Sequence, residues 1–255
     1  MTVRILKTIA EHGLRIFEKP DIIALSKEMG ISTTYVSRAL SNMSQKGDII
    51  ALGQGLYSLP VELLAGGPLH SFEIGLKLAK KGSISYRSAM SYYNITDQVS
   101  NTVYITVPKE KGANLSRYNQ YKLNGVLYKL IRVSPKNYWG IKREFIGEAG
   151  ILITDLEKTI IDSLSNPRYC GGMREVLFGV ENAIDKILPQ KIVDYAQRTS
   201  IAVCKRLGWI LDSLNCLEEA QTTLQNMTAN QYQKLDPHGE RQGKYNKRWM
   251  ILENI

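Results

Sequence analysis

Residues 32–59 read STTYVSRALSNMSQKGDIIALGQGLYSL, and this stretch decides the fold expected for the N-terminal part of the chain. Ser32 is placed as the N-cap of a helix whose C-terminal cap is Gly47. At 100° per residue the helix has one apolar face. That face carries Val36, Ala39, Leu40 and Met43. The opposite face is nearly all hydrogen-bonding side chains, and it carries Thr34, Arg38, Ser41 and Gln45.

The flanking residues predict the rest of a small DNA-binding unit. Apolar periodicity indicates one helix over residues 3–11 and a second helix after Pro20 that stops at Gly30. The short Gly-containing turn before Ser32 is typical of a helix-turn-helix, whose second helix enters the DNA major groove. Two short strands around Gly53-Gln54-Gly55 then predict a hairpin. The sequence therefore predicts a winged helix-turn-helix over residues 1–62.

This interpretation names the candidate DNA contacts. They are Ser32, Thr33, Thr34, Tyr35, Ser37, Arg38, Ser41, Gln45, Lys46 and Gln54. Arg38 is the leading candidate for base contact, because a guanidinium can bind guanine through two hydrogen bonds. The alternative is that the polar face of this helix only meets water. Residues 1–60 carry seven basic and five acidic side chains, so their net charge is only modestly positive for a DNA-binding segment.

Composition and charge narrow the class of protein. The chain has 255 residues, 44% of them apolar and 22% charged, which is typical of globular proteins and excludes collagen-like and disordered classes. Its formal net charge of +9 favours a polyanionic partner such as nucleic acid. Most of that excess lies in residues 61–150, which carry 13 basic and 6 acidic side chains. Further phosphate contacts are expected there, from Lys80, Lys81, Arg87, Lys109 and Lys111.

The cysteines and the N-terminus favour a soluble, unexported, cytoplasmic protein. Cys170, Cys204 and Cys216 are odd in number and form no CxxC pair, so we expect reduced thiols and neither a disulfide framework nor a zinc site. No apolar run approaches about 18 residues, and Glu11 and His12 interrupt any signal-peptide pattern.

The remainder of the chain predicts a second domain over residues 70–255, after a Pro- and Gly-containing boundary at residues 60–71. Helices are expected near residues 72–82 and 85–95, then strands at 102–108, 126–133 and 144–154, forming a small mixed or antiparallel sheet. Helical patterns dominate from Met173, with a final short strand in RWMIL that could join the sheet edge. The fold class expected for the whole chain is α+β.

Three carboxylates, Asp155, Glu157 and Asp162, stand close together in the sequence TDLEKTIIDSLS. A capping box between Thr154 and Glu157 accounts for part of this pattern and opens a helix. A metal-dependent nuclease is the alternative, but no catalytic lysine or histidine stands at a recognisable spacing.

Several segments together resemble the AbiEi family of type IV antitoxins. They are the winged-helix start, SYRSAMSYYNITDQVSNTVYITVP, ITDLEKTIIDSLSNPRYCGGMREV, CKRLGWILDSL and LDPHGERQGKYNKRWMILEN, and their order and spacing run along nearly the whole chain. The resemblance implies an N-terminal winged helix that represses its own operon and a larger C-terminal α/β domain with antitoxin activity. It places DNA binding on residues 32–46 and on the wing at 52–57.

The resemblance also implies partners. The expected functional partner is an AbiEii-like nucleotidyltransferase toxin. The expected ligand is promoter DNA, and because one recognition helix reads only about half of a typical operator, an inverted repeat bound by two protomers is expected. The resemblance implies a protein that is not an enzyme and that has no cofactor or metal. A stand-alone winged-helix regulator without a toxin is the alternative that the sequence does not separate from this one.

Overall fold

A computed structural model describes residues 2–109, 119–227 and 231–255, and it has an α+β fold. The α-helices in these ranges are α1 Thr2–Glu11, α2 Lys19–Glu28, α3 Thr33–Lys46, α4 Ser71–Ala79, α5 Tyr86–Tyr92, α6 Leu156–Ser165, α7 Met173–Ala183, α8 Pro189–Thr199, α9 Ile201–Ser213 and α10 Glu218–Gln225. The strands are β1 Ile16–Glu18, β2 Ile50–Gly53, β3 Leu56–Ser58, β4 Ser83–Ile84, β5 Thr102–Pro108, β6 Gln120–Leu123, β7 Val126–Val133, β8 Ile141–Ile146, β9 Ala149–Thr154, β10 Gln233–Lys234, β11 Lys244–Asn246 and β12 Ile251–Glu253.

The N-terminal unit, residues 2–64, has a hydrophobic core of its own. Helices α1, α2 and α3 pack around Ile5, Phe17, Val36 and Met43, each of which is fully buried. Its three strands form an antiparallel sheet in the order β1-β3-β2. Strand β1 was missing from the sequence prediction, because a three-residue strand is too short to show an alternating pattern and is defined by its pairing with β3.

A six-stranded mixed sheet forms the centre of the molecule, in the order β6-β7-β5-β4-β9-β8. Strands β5 and β7 run parallel, as do β4 and β9, while the hairpins β6–β7 and β8–β9 are antiparallel. The predicted single strand at 144–154 is wrong. Gly147, at φ +57°, turns the chain between β8 and β9, so the region is a hairpin that begins at Ile141.

Helices α6 to α10 form the C-terminal part of the second core. The sequence from Met173 predicts an apolar stripe at Val176, Val180, Ile184 and Ile187 that faces the core. Val176, Val180 and Ile187 are buried, and Ile184 is half-buried against the same core. Helices α8 and α10 were not expected from the sequence. The final strand does not join the central sheet as expected, because β12 instead lies between β10 and β11 in a separate three-stranded sheet that covers the helices through Trp249.

The predicted capping box at the start of α6 is also wrong. The N-cap is Asp155, whose side chain accepts a hydrogen bond from the Lys158 amide at 2.8 Å. Thr154 instead lies at the end of β9 with its hydroxyl 2.8 Å from that of Thr159. Glu157 points away from the cap and accepts from the Leu188 amide at 3.0 Å. The helix therefore begins one residue later than the capping pattern assumed.

The remaining general expectations concern cysteines and membranes. Cys170 and Cys204 are buried free thiols and Cys216 is half-buried, so the cysteines form no disulfide in the described part of the chain. Among the residues that the structure describes, no helix has both the length and the apolar character needed to cross a bilayer.

The N-terminal unit packs directly on the central sheet. Ile16, Leu52 and Leu56 belong to the same apolar cluster as Phe72 and Ile105 of the second unit. The boundary region is a short 3-10 turn, Val61–Leu63, followed by a loop. Arg15 holds that loop, because its guanidinium donates to the carbonyl oxygens of Ala65, Gly67 and Pro68 and also pairs with Glu73 at 2.8 Å.

Candidate nucleic-acid interface

The turn between α2 and α3 is closed by backbone hydrogen bonds around Gly30. The Ile31 amide donates to the Ser26 carbonyl at 2.8 Å, and the Gly30 amide donates to Lys27 at 3.1 Å. Gly30 has φ +67°, a conformation that glycine adopts without the steric cost of a Cβ. The turn therefore leads the chain directly from α2 into α3.

The two ends of α3 lie at the residues expected from the sequence. Ser32 occupies the N-cap position, although its hydroxyl lies 2.8 Å from the Thr34 hydroxyl and makes no cap hydrogen bond. Gly47 is the C-cap, with φ 78°. Lys46 lies in the last turn, where a positive charge interacts favourably with the helix dipole.

The two faces of α3 differ as the 100° period predicts. Four side chains, Val36, Ala39, Leu40 and Met43, are no more than 3% exposed and pack into the core of the N-terminal unit. The exposed residues of the other face are Thr33, Thr34, Ser37, Arg38, Ser41, Gln45 and Lys46, together with the N-cap Ser32. Tyr35 is half-buried at the edge and packs against the core.

The exposed face of α3 has no acidic side chain, since the helix sequence contains neither Asp nor Glu. Arg38 and Lys46 form no ion pair with any residue that the structure describes, so both charges remain available. Asn42 is also exposed next to Arg38, and the sequence analysis missed it. Its position at 80° from Thr34 on the helical wheel could have placed it on the same face.

The predicted wing is the hairpin β2–β3, residues 50–58, and Gln54 is exposed at its turn. Gln54 and Gly55 have φ of 54° and 77°, as a two-residue hairpin turn requires. The strand residues next to this turn pack on the second unit, since Leu52 and Leu56 share an apolar cluster with Leu123. A Cβ on Gly53 would lie 2.7 Å from Leu123 Cδ2 of β6, so a larger residue would require the leucine side chain to move, and the φ of +106° at Gly53 also favours glycine.

The basic residues proposed for the middle segment do not form one patch. Lys81 and Lys109 lie at the end of the sheet where β5 finishes, and Lys80 is adjacent at the end of α4. Arg87 lies near Thr102, at the opposite end of β5. A seven-residue strand is about 20 Å long, and this length separates Arg87 from the three lysines. Lys111 lies outside the described residues.

The three carboxylates considered for a nuclease are all engaged with neighbouring side chains. Lys191 lies 3.2 Å from Asp155 and 2.8 Å from Glu157, and Lys158 pairs with Asp162. Tyr195 donates a further hydrogen bond to Asp155 at 3.0 Å. Within the described ranges, no group of three or more His, Cys, Asp or Glu side chains is placed to hold a metal ion.

Burial and hydrogen bonding act in opposite directions on Glu157. Burial disfavours its ionised form, but the hydrogen bonds from Lys191 and from the Leu188 amide outweigh burial and keep the pKa of Glu157 below its usual value. The carboxylate therefore stays ionised as part of a structural network.

Comparison with known proteins gives a likeness of fold. No family model matches the chain. No curated protein matches its sequence either. Among solved structures, the crystal structure of the RV2827C protein from Mycobacterium tuberculosis is similar, with a TM-score of 0.68 and 11% sequence identity, covering 98% of this chain and 90% of that one. At this identity the likeness shows a shared fold.

Proposed function

We propose that this protein is a DNA-binding transcriptional repressor that reads its operator with α3. The observation that carries the proposal is the exposed face of α3, where hydrogen-bonding side chains and two unpaired cations occur without a carboxylate. Donors and acceptors of this kind can read base edges, while Lys46 and the helix N-terminus suit phosphates. The element order α1-β1-α2-α3-β2-β3, with an antiparallel sheet, supports interpreting the N-terminal unit as a winged helix.

The wing supports the same function. Its turn residues Gln54 and Gly55 are exposed, and the adjoining Gly53 contacts Leu123, which holds the hairpin against β6. A fixed wing would present Gln54 to a phosphate in a constant position relative to the recognition helix. Such preorganisation reduces the entropy lost on binding.

A binding titration tests the proposal. Full-length protein is titrated against the DNA upstream of its own gene and against a shuffled duplex, at two salt concentrations. We expect tighter binding to the upstream fragment and affinity that falls with salt for both duplexes. The Ser41→Asp variant should lose binding, because a carboxylate on the exposed face repels phosphates. Thr222→Asp, at an exposed position of α10, is the matched control and should bind like wild type.

The antitoxin role rests on the resemblance to the AbiEi family. In that role the second unit opposes a nucleotidyltransferase toxin, while two protomers on an inverted repeat repress the operon. The test is co-expression with a nucleotidyltransferase from the neighbouring gene. Rescue of growth supports an antitoxin, whereas the absence of such a gene, or no rescue by a repressor that still binds DNA, supports a stand-alone regulator. Rescue should survive Ser41→Asp, because that change lies in the N-terminal unit.

A further inference from the structure

A small polar cavity lies where the start of α4, helix α5 and the start of β5 meet. Its volume is about 200 Å³, and we call it the Arg87 pocket. The lining residues used below are His70, Ser71, Arg87, Ser91, Gln98 and Thr102. Of all the residues that line it, Arg87 is the charged one, and none is acidic.

Arg87 lines this pocket and has no ion-pair partner among the described residues. Its Nε is buried and has no hydrogen-bond partner among the described residues. A guanidinium stays charged in proteins and carries five N–H donors in a fixed plane. A buried donor without an acceptor is unfavourable, so Nε is unsatisfied in the free protein, while an anion in the cavity would meet the terminal nitrogens of the half-buried guanidinium.

Two acidic side chains that bond to residues of the pocket lining, Glu175 and Glu73, are engaged outside the pocket. Glu175 accepts hydrogen bonds from the Thr96 hydroxyl and from Gln98 Nε2, the latter at 2.5 Å. Glu73 pairs with Arg15 at 2.8 Å and also accepts from the His70 amide at 2.8 Å. Neither carboxylate lines the pocket, so an incoming anion would not meet one there.

Further donors surround Arg87. The hydroxyls of Ser71 and Ser91 make no hydrogen bond within the part of the chain that the structure describes. His70 Nδ1 accepts from the Phe72 amide at 3.2 Å, which leaves the ring proton on Nε2. Burial lowers the pKa of His70, against the opposing charge of Glu73, so its imidazole is a neutral donor near pH 7.

We propose that the Arg87 pocket binds a small tetrahedral oxyanion, such as inorganic phosphate or the terminal phosphate of a phosphomonoester. Arginine binds phosphate oxygens through two parallel hydrogen bonds, and the serine hydroxyls can donate to the remaining oxygens. The volume lies below the roughly 300 Å³ at which pockets begin to enclose drug-sized ligands, so a larger group attached to the phosphate would remain outside. This binding needs no DNA and therefore stands apart from the proposed function.

Titration of inorganic phosphate into the full-length protein tests the proposal, with calorimetry and thermal unfolding as readouts and with chloride at matched ionic strength as the reference. Wild type should show saturable binding and a rise in Tm that chloride does not produce. Arg87→Gln should weaken phosphate binding at least tenfold. Arg143→Gln removes an exposed arginine of β8 outside the pocket and is the matched control, expected to bind like wild type. A nucleoside 5′-monophosphate in place of inorganic phosphate shows whether the occupant is a free anion or a phosphomonoester.

A second variant covers the case in which Arg87→Gln fails to fold. Ser91 is exposed on α5, so Ser91→Asp should leave the fold intact while placing a carboxylate at the pocket and abolishing phosphate binding. The proposal is overturned if wild type shows no saturable binding of either probe, or if both variants bind as wild type does. It is also overturned if Arg87→Gln weakens only duplex DNA binding, which would assign Arg87 to the DNA backbone instead.

Discussion

Helices α3 and α6 carry similar proportions of polar side chains, but the two helices use them in opposite ways. On α6, Glu157 and Lys158 are at most 4% exposed and are bound to partners on other turns and helices. On α3, the polar side chains face solvent, and Arg38 has no ion-pair partner among the described residues. Polar groups that satisfy one another stabilise the fold, whereas polar groups left without protein partners are available to a ligand. The difference separates a structural network from a candidate interface.

The largest expected effect sharpens the structural side of this comparison. Glu157→Ala removes the acceptor for the Leu188 amide and the partner of Lys191, so we expect a loss of about 3 kcal/mol in the free energy of unfolding, measured in urea. Glu181→Ala removes an exposed glutamate of α7 and should change stability by less than about 0.5 kcal/mol. If both variants lost the same unfolding free energy, the hydrogen bonds and ion pair of Glu157 would not stabilise the fold more than an exposed glutamate does.

The next effect concerns the binding side. Arg38→Ala should weaken operator binding by about 1–3 kcal/mol, or roughly tenfold to a hundredfold, because a guanidinium that contacts a base is lost. Its free energy of unfolding should stay within about 0.5 kcal/mol of wild type, since the side chain has no protein partner to lose. Fluorescence anisotropy and urea unfolding measure the two quantities. If Arg38→Ala lowered the unfolding free energy but left operator affinity unchanged, Arg38 would be a structural residue, as Glu157 is on α6, and not a DNA contact.

The pH dependence of stability should also differ between the two helices. Because the pKa of Glu157 is held below its usual value in the folded protein, its stabilising contribution is full above the unfolded pKa of about 4.3 and is lost as the pH falls through the lower folded pKa. Unfolding measured between pH 3 and pH 7 should therefore show a shallower acid loss for Glu157→Gln than for wild type. Arg38→Ala lies on a helix without acidic residues, so its unfolding free energy should fall with decreasing pH as steeply as that of wild type. A shallower fall for Arg38→Ala would show that the acid loss is not specific to Glu157.

The smallest effect is a change in salt dependence. Lys46 is expected to contact a phosphate, so Lys46→Ala should weaken binding to specific and shuffled duplexes by a similar factor. The slope of log K against log salt should fall in magnitude by about one. An unchanged slope over at least three salt concentrations would place Lys46 outside the interface.

The elements predicted correctly are those whose ends are marked by their own residues, such as turn residues and helix caps. Strands β5 and β7 begin and end where expected, because β-branched runs there are bounded by Pro108 and by turn residues. Strand β8 was assigned too late, since Lys142 and Arg143 made its exposed edge resemble a loop. Helix α3 was assigned correctly because its cap residues and its apolar period agree.

The candidate sites show the same division. The period of α3 predicted which side chains are exposed, because that property depends on one helix. The Arg87 pocket depends on α4, α5 and β5 meeting in space, and no spacing in the sequence records that convergence. For the same reason the sequence could not show that Asp155 and Glu157 share Lys191, which lies on α8.

The contact of Gly53 with Leu123, together with the shared burial of Leu52 and Leu56, limits how this protein can be rebuilt. A fragment that ends at residue 62 would expose these leucines to solvent as an apolar patch, and we expect such a fragment to aggregate. A chimaera that grafts the N-terminal unit onto another effector would need a replacement for β6 that offers a matching leucine. The unit is therefore not portable by itself, and changes in its specificity are best engineered within the intact chain.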